Sequence, residues 1–307
     1  MPFPKLPPGA AYVRLGNPAR RNALSLAVLR DLRRQLQGYL TSPASGRVLT
    51  LPPFNPEGLE LVRTSEYRWL VDADEWRKQR AGLPGVLVLR SEGPVFCSGH
   101  DLAELAGLDG PAAEELFDEC AGVMSLLRRS PAPVVCPVQG LATAAGFQLA
   151  MAADYPVALA GTPFCLPGMR IGFPCVSPAT FASRRLHPAL AYRMFATGDA
   201  VPASELHGAV DVVPVPEHSE AADTAAAAFE ARVASVVRRL AVETAGQAQA
   251  FGKWAFWAQL ARSDGDDGFV AAARWAGGVM ALQSGRLEDT KEGISAFLEK
   301  RTPSWRT

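Results

Sequence analysis

Apolar and polar positions set out two regimes along the chain. Between Ser25 and Leu40, Val28, Leu29, Leu32, Leu36 and Leu40 fall on one stripe, with Arg30, Arg33 and Arg34 elsewhere. That spacing predicts an amphipathic helix whose apolar face is core. Strand-like and helix-like segments alternate from Ala11 to about Val213, which predicts βα units with a sheet buried by helices. Gly85-Val86-Leu87-Val88-Leu89-Arg90 reads as one strand and Asp154-Tyr155-Pro156-Val157-Ala158-Leu159 as another. Pro133-Val134-Val135-Cys136-Pro137-Val138 reads as a strand between them, and its two prolines predict a strand end or sheet edge. After about Pro214 the pattern turns helical and Ala-rich, around 219–241, 243–262, 267–284 and 286–300.

The stretch 41–84 interrupts this order and is punctuated by Pro43, Pro52, Pro53, Pro56 and Pro84. Within it, residues 66–77 carry Trp69 and Trp76 and predict a helix. A connection this long is usually functional or disordered, and two tryptophans argue against full disorder. The expectation is a cover over the site or a subunit contact, with Glu57, Glu60, Glu66, Asp72, Asp74 or Glu75 able to supply a carboxylate.

Two strand-to-helix turns carry the chemistry. Phe96-Cys97-Ser98-Gly99-His100-Asp101-Leu102 follows the strand at 85–90, and Gly140-Leu141-Ala142-Thr143-Ala144-Ala145-Gly146-Phe147-Gln148-Leu149 comes about forty residues later. Such turns leave backbone N–H groups unpaired at a helix N-terminus, where the dipole adds positive potential. Two of them converging would make an oxyanion hole. Asp101 and Glu104 open the helix after the first turn, where they complement its dipole.

In their order these turns resemble the crotonase, or enoyl-CoA hydratase/isomerase, family, and in motif most closely its enoyl-CoA hydratase domain-containing branch. The resemblance begins at Val13-Arg14-Leu15-Gly16-Asn17-Pro18-Ala19-Arg20-Arg21-Asn22-Ala23-Leu24-Ser25 and ends at Glu292-Gly293-Ile294-Ser295-Ala296-Phe297-Leu298-Glu299-Lys300-Arg301. It implies an α/β fold, a crotonase-type spiral of ββα units over 1–213 with an atypical insertion at about 41–84. A C-terminal helical trimerisation region over 214–307 would follow. It also implies an acyl-CoA ligand, a role in fatty acid metabolism, and a homotrimer or dimer of trimers. No cofactor is expected beyond the CoA of the substrate.

By motif position the resemblance makes Ser98 and Ala145 the two oxyanion donors. Ala145 stands where glycine is usual, so glycine-type backbone angles are expected to strain it. The two glutamates with which typical members add water fall on Gln148 and Gly168. An amide can orient water but not accept its proton, and glycine can do neither. Standard hydration is therefore disfavoured, simple isomerisation is weakened, and the aspartate of dienoyl-CoA isomerases would fall near Val176. His100 is a substitute proton carrier if it titrates near neutrality. Cys165, Cys175, Arg170 and Ser177 lie on the loop that lines the family's acyl pocket. Two readings stay open: an atypical enzyme stabilising a thioester enolate (isomerisation, decarboxylation or thioester hydrolysis) and a catalytically silent acyl-CoA-binding protein. Hydrolysis of a carbon–carbon bond in a diketone, known in the family, lacks support.

For CoA, the resemblance points to Arg20 and Arg21, to Gly99 and Asp101 of the first turn, and to Lys300 and Arg301 at the end of the closing helix. Arginine forks suit phosphate, though cations are also favourable at any helix C-terminus. Trp254, Trp257 and Trp275 sit in amphipathic helices and are expected to pack a core or an interface.

Composition narrows partners and surroundings. The 31 Lys and Arg balance 31 Asp and Glu, so no net field attracts nucleic acid or an anionic membrane. Five cysteines without metal-ligand spacing predict free thiols in a reducing intracellular setting, cytoplasmic or mitochondrial, and no metal site. No apolar run reaches the ~18 residues of a membrane span. No signal-peptide core opens the chain, and its end is not the Ser-Lys-Leu peroxisomal address.

Overall fold

The structure, a computed structural model, describes residues 3–54, 64–215, 222–244, 246–260, 281 and 288–302. The chain opens with β1 (Ala10–Leu15) and α1 (Leu26–Leu40), followed by the short helices α2 (Arg68–Val71) and α3 (Ala73–Gln79). Next come β2 (Val86–Ser91), α4 (Leu102–Leu105), α5 (Gly110–Arg128), β3 (Val134–Val138), β4 (Ala142–Thr143) and α6 (Ala145–Ala152). Then follow β5 (Tyr155–Leu159), β6 (Pro163–Cys165), α7 (Val176–Arg185), α8 (Pro188–Thr197), β7 (Val201–Pro202) and β8 (Asp211–Val213). The C-terminal part holds α9 (Ala222–Val242), α10 (Gly246–Leu260) and α11 (Glu288–Leu298).

The five strands β1-β2-β3-β5-β8 form one parallel sheet. The short strands β4-β6-β7 form a second sheet beside it. Every residue of β2 and β3 is buried, as expected for a parallel sheet covered on both faces. Of the two placements its prolines predicted, the sheet edge is corrected, because β3 lies in the middle of the sheet, while the strand end holds, with Pro133 just before β3 and Pro137 next to its last residue. Its pairing with β2 ends at Val135, so Pro137 sits beyond the point where that ladder would need its missing N–H.

Helix α1 forms as its pattern demands. Ser25 caps it, its Oγ accepting from the Val28 N–H at 3.3 Å, and Leu29, Leu32, Leu36 and Leu40 are buried. Leu29, Leu32 and Leu36 join the main core with the apolar face of α5.

Among the described residues, the segment at 41–84 does not cover the site and packs against the C-terminal part of the chain. Its predicted helix splits at Asp72, whose Oδ1 accepts from the N–H groups of Asp74 and Glu75 and so starts α3. Leu49, Leu51, Phe54, Trp69 and Leu70 form a separate core with Ala250, Trp254 and Ala258 of α10. Trp69 and Trp76 stack at 5.8 Å, and Trp254 donates to the Pro53 carbonyl at 3.3 Å. The tryptophans thus buttress α10 instead of covering a site. Trp257 packs under the Arg128 guanidinium at 4.2 Å, whereas Trp275 lies outside the described residues.

Candidate functional site

The two turns meet through the backbone. Cys97 and Ala142 form an isolated parallel bridge, with Cys97 N–H donating to the Leu141 carbonyl at 3.2 Å and Thr143 N–H to the Cys97 carbonyl at 3.1 Å. The approach is so close that only glycine fits at two positions. A Cβ on Gly99, where φ is +89°, would stand 2.9 Å from Ala144 Cβ. One on Gly146 would stand 2.2 Å from the Cys97 carbonyl oxygen.

The amides of the turns are not equivalent. Ala145 is the first residue of α6, and its N–H has no hydrogen-bond partner among the described residues. Ser98 N–H donates to the Arg21 carbonyl at 3.1 Å. Arg21 and Asn22 both hold left-handed backbone, with φ of 52° and 55°. The Asn22 side chain pins that conformation by accepting from Asn17 N–H and donating to the carbonyls of Glu92 and Val95. Backbone strain falls one residue before the position expected: Ala144, not Ala145, has φ 51° and ψ −121°.

Beside the turns lies a cavity of about 310 Å³. Ser98, His100, Thr143 and Ala145 line it together with Gly168, Cys175 and a mainly apolar wall that includes Leu102, Phe173 and Phe297. Among the described residues, no carboxylate lines it. No described residue of 41–84 reaches it, so Glu66, Asp72, Asp74 and Glu75 do not supply one, and Glu57 and Glu60 lie outside the described residues.

Gln148 and Gly168, the positions on which the resemblance puts the hydratase glutamates, are closed in different ways. Gln148 is fully buried and turned away from the cavity, its Nε2 donating to Ser177 Oγ at 2.9 Å. Gly168 lines the cavity, but a Cβ there would stand 2.0 Å from the Phe173 carbonyl oxygen and 2.8 Å from Cys175 N and Sγ. Backbone of the following turn fills the space that a side chain would need.

His100 also departs from expectation. It is 9 % exposed, its ring meets Phe117 edge-on at 5.0 Å, and burial pushes its pKa down to about 4. The ring is therefore neutral at pH 7, not poised to titrate there. Burial likewise pushes the Cys175 thiol up to about 12 and raises Cys165, whose Sγ donates to the Gly198 carbonyl at 3.1 Å. Both are poor nucleophiles. All five cysteines are free and buried.

The proposed cations sit on the surface near this site. Arg20 is tied to Asp101 at 2.7 Å, and Asp101 also caps α4 through the N–H groups of Ala103 and Glu104. Arg21 is exposed and makes no ion pair among the described residues. Arg301 is held by Glu292 and Glu299, each at 2.6 Å. Exposed Lys300 ends α11 with φ 56°, its N–H donating to Phe297 and that of Arg301 to Ala296, the pattern of a left-handed helix cap usually built on glycine. α11 seats on the cavity-lining turn because Gly293 allows contact: a Cβ there would overlap the Ile171 carbonyl.

A parallel sheet feeding two bonded small-residue turns beside an apolar cavity defines an α/β protein of the crotonase fold, closed by C-terminal helices. The chain belongs to the enoyl-CoA hydratase/isomerase family, whose model matches residues 80–307. It is 33 % identical over 300 residues to the rat enoyl-CoA hydratase domain-containing protein 3, mitochondrial, covering 97 % of this chain and 81 % of that one. The crystal structure of the human protein of that name superposes with a TM-score of 0.61 at 29 % identity, covering 98 % of both chains. An enoyl-CoA hydratase from Mycobacterium smegmatis gives 0.62 at 29 % identity over 99 % of this chain and 98 % of that one.

The residue not singled out from sequence is Thr143. It stands two positions before Ala145 inside the second turn, so the motif held it, but only the fold places the residue in the cavity wall.

Proposed function

We propose that the protein binds an acyl-CoA thioester in the cavity between the two turns and does not hydrate it. The observation that carries this reading is the wall itself: among the described residues, Ala145 offers an unpaired N–H at a helix start and no carboxylate faces it. A thioester carbonyl accepting from Ala145 N–H gains a charge-stabilising contact. The Ser98 N–H completes the pair when the carbonyl oxygen competes with that of Arg21. The CoA phosphates then meet Arg20, Arg21, Lys300 and Arg301, with Gly99 and Asp101 shaping the turn they pass.

A catalytic reading, enolate stabilisation without added water, is favoured by the neutral His100 ring in the same wall. A proton carrier of pKa about 4 is a weak base, so this chemistry would be slow. In assembly we propose the homotrimer or dimer of trimers implied by the family, and a mitochondrial or cytoplasmic setting in keeping with the mitochondrial relatives. None of the described helices is long and apolar enough to cross a membrane.

Titration with butyryl-CoA, followed by calorimetry, tests binding, and crotonyl-CoA hydration followed by ultraviolet absorbance tests turnover. Micromolar binding with no hydration supports the proposal. Absence of binding, or hydration at a rate lost in Arg21→Ala, overturns it.

A further inference from the structure

We infer that Lys253 is a positioning residue for the thioester: through Asp154 it fixes the far end of helix α6 and so the aim of the Ala145 N–H at that helix's start; the inference rests on the acyl-CoA reading above. Lys253 Nζ lies 2.7 Å from Asp154 Oδ2, and the two side chains are 8 % and 16 % exposed. Asp154 comes two residues after Ala152, the last residue of α6. Its Oδ2 also accepts from the Val134 N–H at 2.8 Å, and its own N–H donates to the Val134 carbonyl at 2.9 Å. The carboxylate thus ties the end of α6 to the start of β3 and, through Lys253, to α10.

The near end of α6 needs this hold. Ala144, just before the helix, has φ 51° and ψ −121°, and strained backbone persists only where its surroundings over-determine it. The eight residues of α6 span about 12 Å, and all of them are buried, so the helix moves as a body in a close-packed interior. A shift at Asp154 therefore reaches Ala145. The far end is held at two points, because Arg185 at the end of α7 donates to the Ala153 carbonyl beside the Lys253–Asp154 pair. Arg185 and Arg128 in turn lie over the Trp257 ring of α10, at 5.6 and 4.2 Å from its centroid.

This route gives the segment at 41–84 a part in a site it does not touch. Trp254, next to Lys253 on α10, is buried in the second core with Leu51, Phe54 and Trp69 and donates to the Pro53 carbonyl. Gln247 on the same helix donates to the Leu70 carbonyl at 3.2 Å. The seat of α10 is thus set by 41–84, and the reach of Lys253 is set by the seat of α10.

The test compares butyryl-CoA with its thioether analogue S-butyl-CoA, which lacks only the carbonyl oxygen, by calorimetry. The wild type is expected to bind the thioester about tenfold tighter, the worth of one well-made hydrogen bond. In Lys253→Met that ratio falls toward one, and Lys253→Arg, which keeps the charge, retains most of it. Should Lys253→Met not fold, Lys253→Met with Asp154→Asn removes both charges, leaves no unpaired buried ion and cuts the same tie. General weakening affects both ligands alike and cancels in the ratio. The infrared carbonyl stretch of bound butyryl-CoA gives a second readout, lowered in the wild type and returning toward the free value in the variants. Ratio and stretch unchanged in the folded variants overturn the inference and leave the acyl-CoA reading standing. Equal binding of the two ligands by the wild type overturns it too, with acyl-CoA binding intact. Failure of both to bind overturns that reading and this one with it.

Discussion

A Cβ on Gly168 would lie 2.0 Å from the carbonyl oxygen of Phe173, whose own N–H donates to the Gly168 carbonyl at 2.9 Å. The space a side chain at 168 would need is therefore occupied by backbone.

A glutamate introduced at this position has no room to turn into the cavity. Gly168→Glu is expected to destabilise by more than about 3 kcal/mol, because overpacking against backbone leaves no flexible side chain to move aside. Thermal denaturation with a crotonyl-CoA hydration assay checks it. A folded Gly168→Glu protein with its melting point unchanged would show that the turn yields.

Gln148 and Ser177 behave as a closed pair. Ser177→Ala strands the fully buried Gln148 amide and costs about 1–3 kcal/mol. Gln148→Met with Ser177→Ala removes both partners and recovers most of that loss. Denaturant melts of the two singles and the double check the non-additivity, and simple addition of the two costs would count against the pair.

The buried ring of His100 makes stability pH-dependent. Its pKa falls from 6.5 to about 4 on folding, with burial the main cause and the Leu24 contact opposing it. The folded chain thus binds fewer protons than the unfolded chain between those values. Its contribution is intact above about 6.5, drains as pH falls toward 4, and totals roughly 3 kcal/mol in the acid limit. Melting temperatures from pH 7 to pH 4 are expected to fall less steeply in His100→Phe than in the wild type.

Lys300 separates stability from binding. Its left-handed φ is one that glycine adopts freely, so Lys300→Gly is expected to stabilise by about 1 kcal/mol and raise the melting temperature by about 2 °C. If Lys300 contacts CoA, the same change weakens CoA binding several-fold. A variant that is more stable yet binds CoA as before would remove Lys300 from the ligand contacts.

What the sequence by itself determined is local. Ser25 and the Leu29–Leu40 stripe specify α1 because a cap and a helical period act within a few residues. The two turns were legible for the same reason, since glycine and alanine at a strand-to-helix junction carry their conformational meaning with them. Asp101 was legible as a cap. Contacts between distant segments were not. The central place of β3 depends on β2 and β5 flanking it, and the docking of 41–84 depends on α10 nearly two hundred residues later. Which alanine bears the strain followed from the fit of Gly99 against Ala144. Gln148 turned inward because Ser177 waits there, and His100 lost its proton because the fold desolvates it. Tertiary structure decided these points because burial, and the partners it brings, are set by neighbours in space.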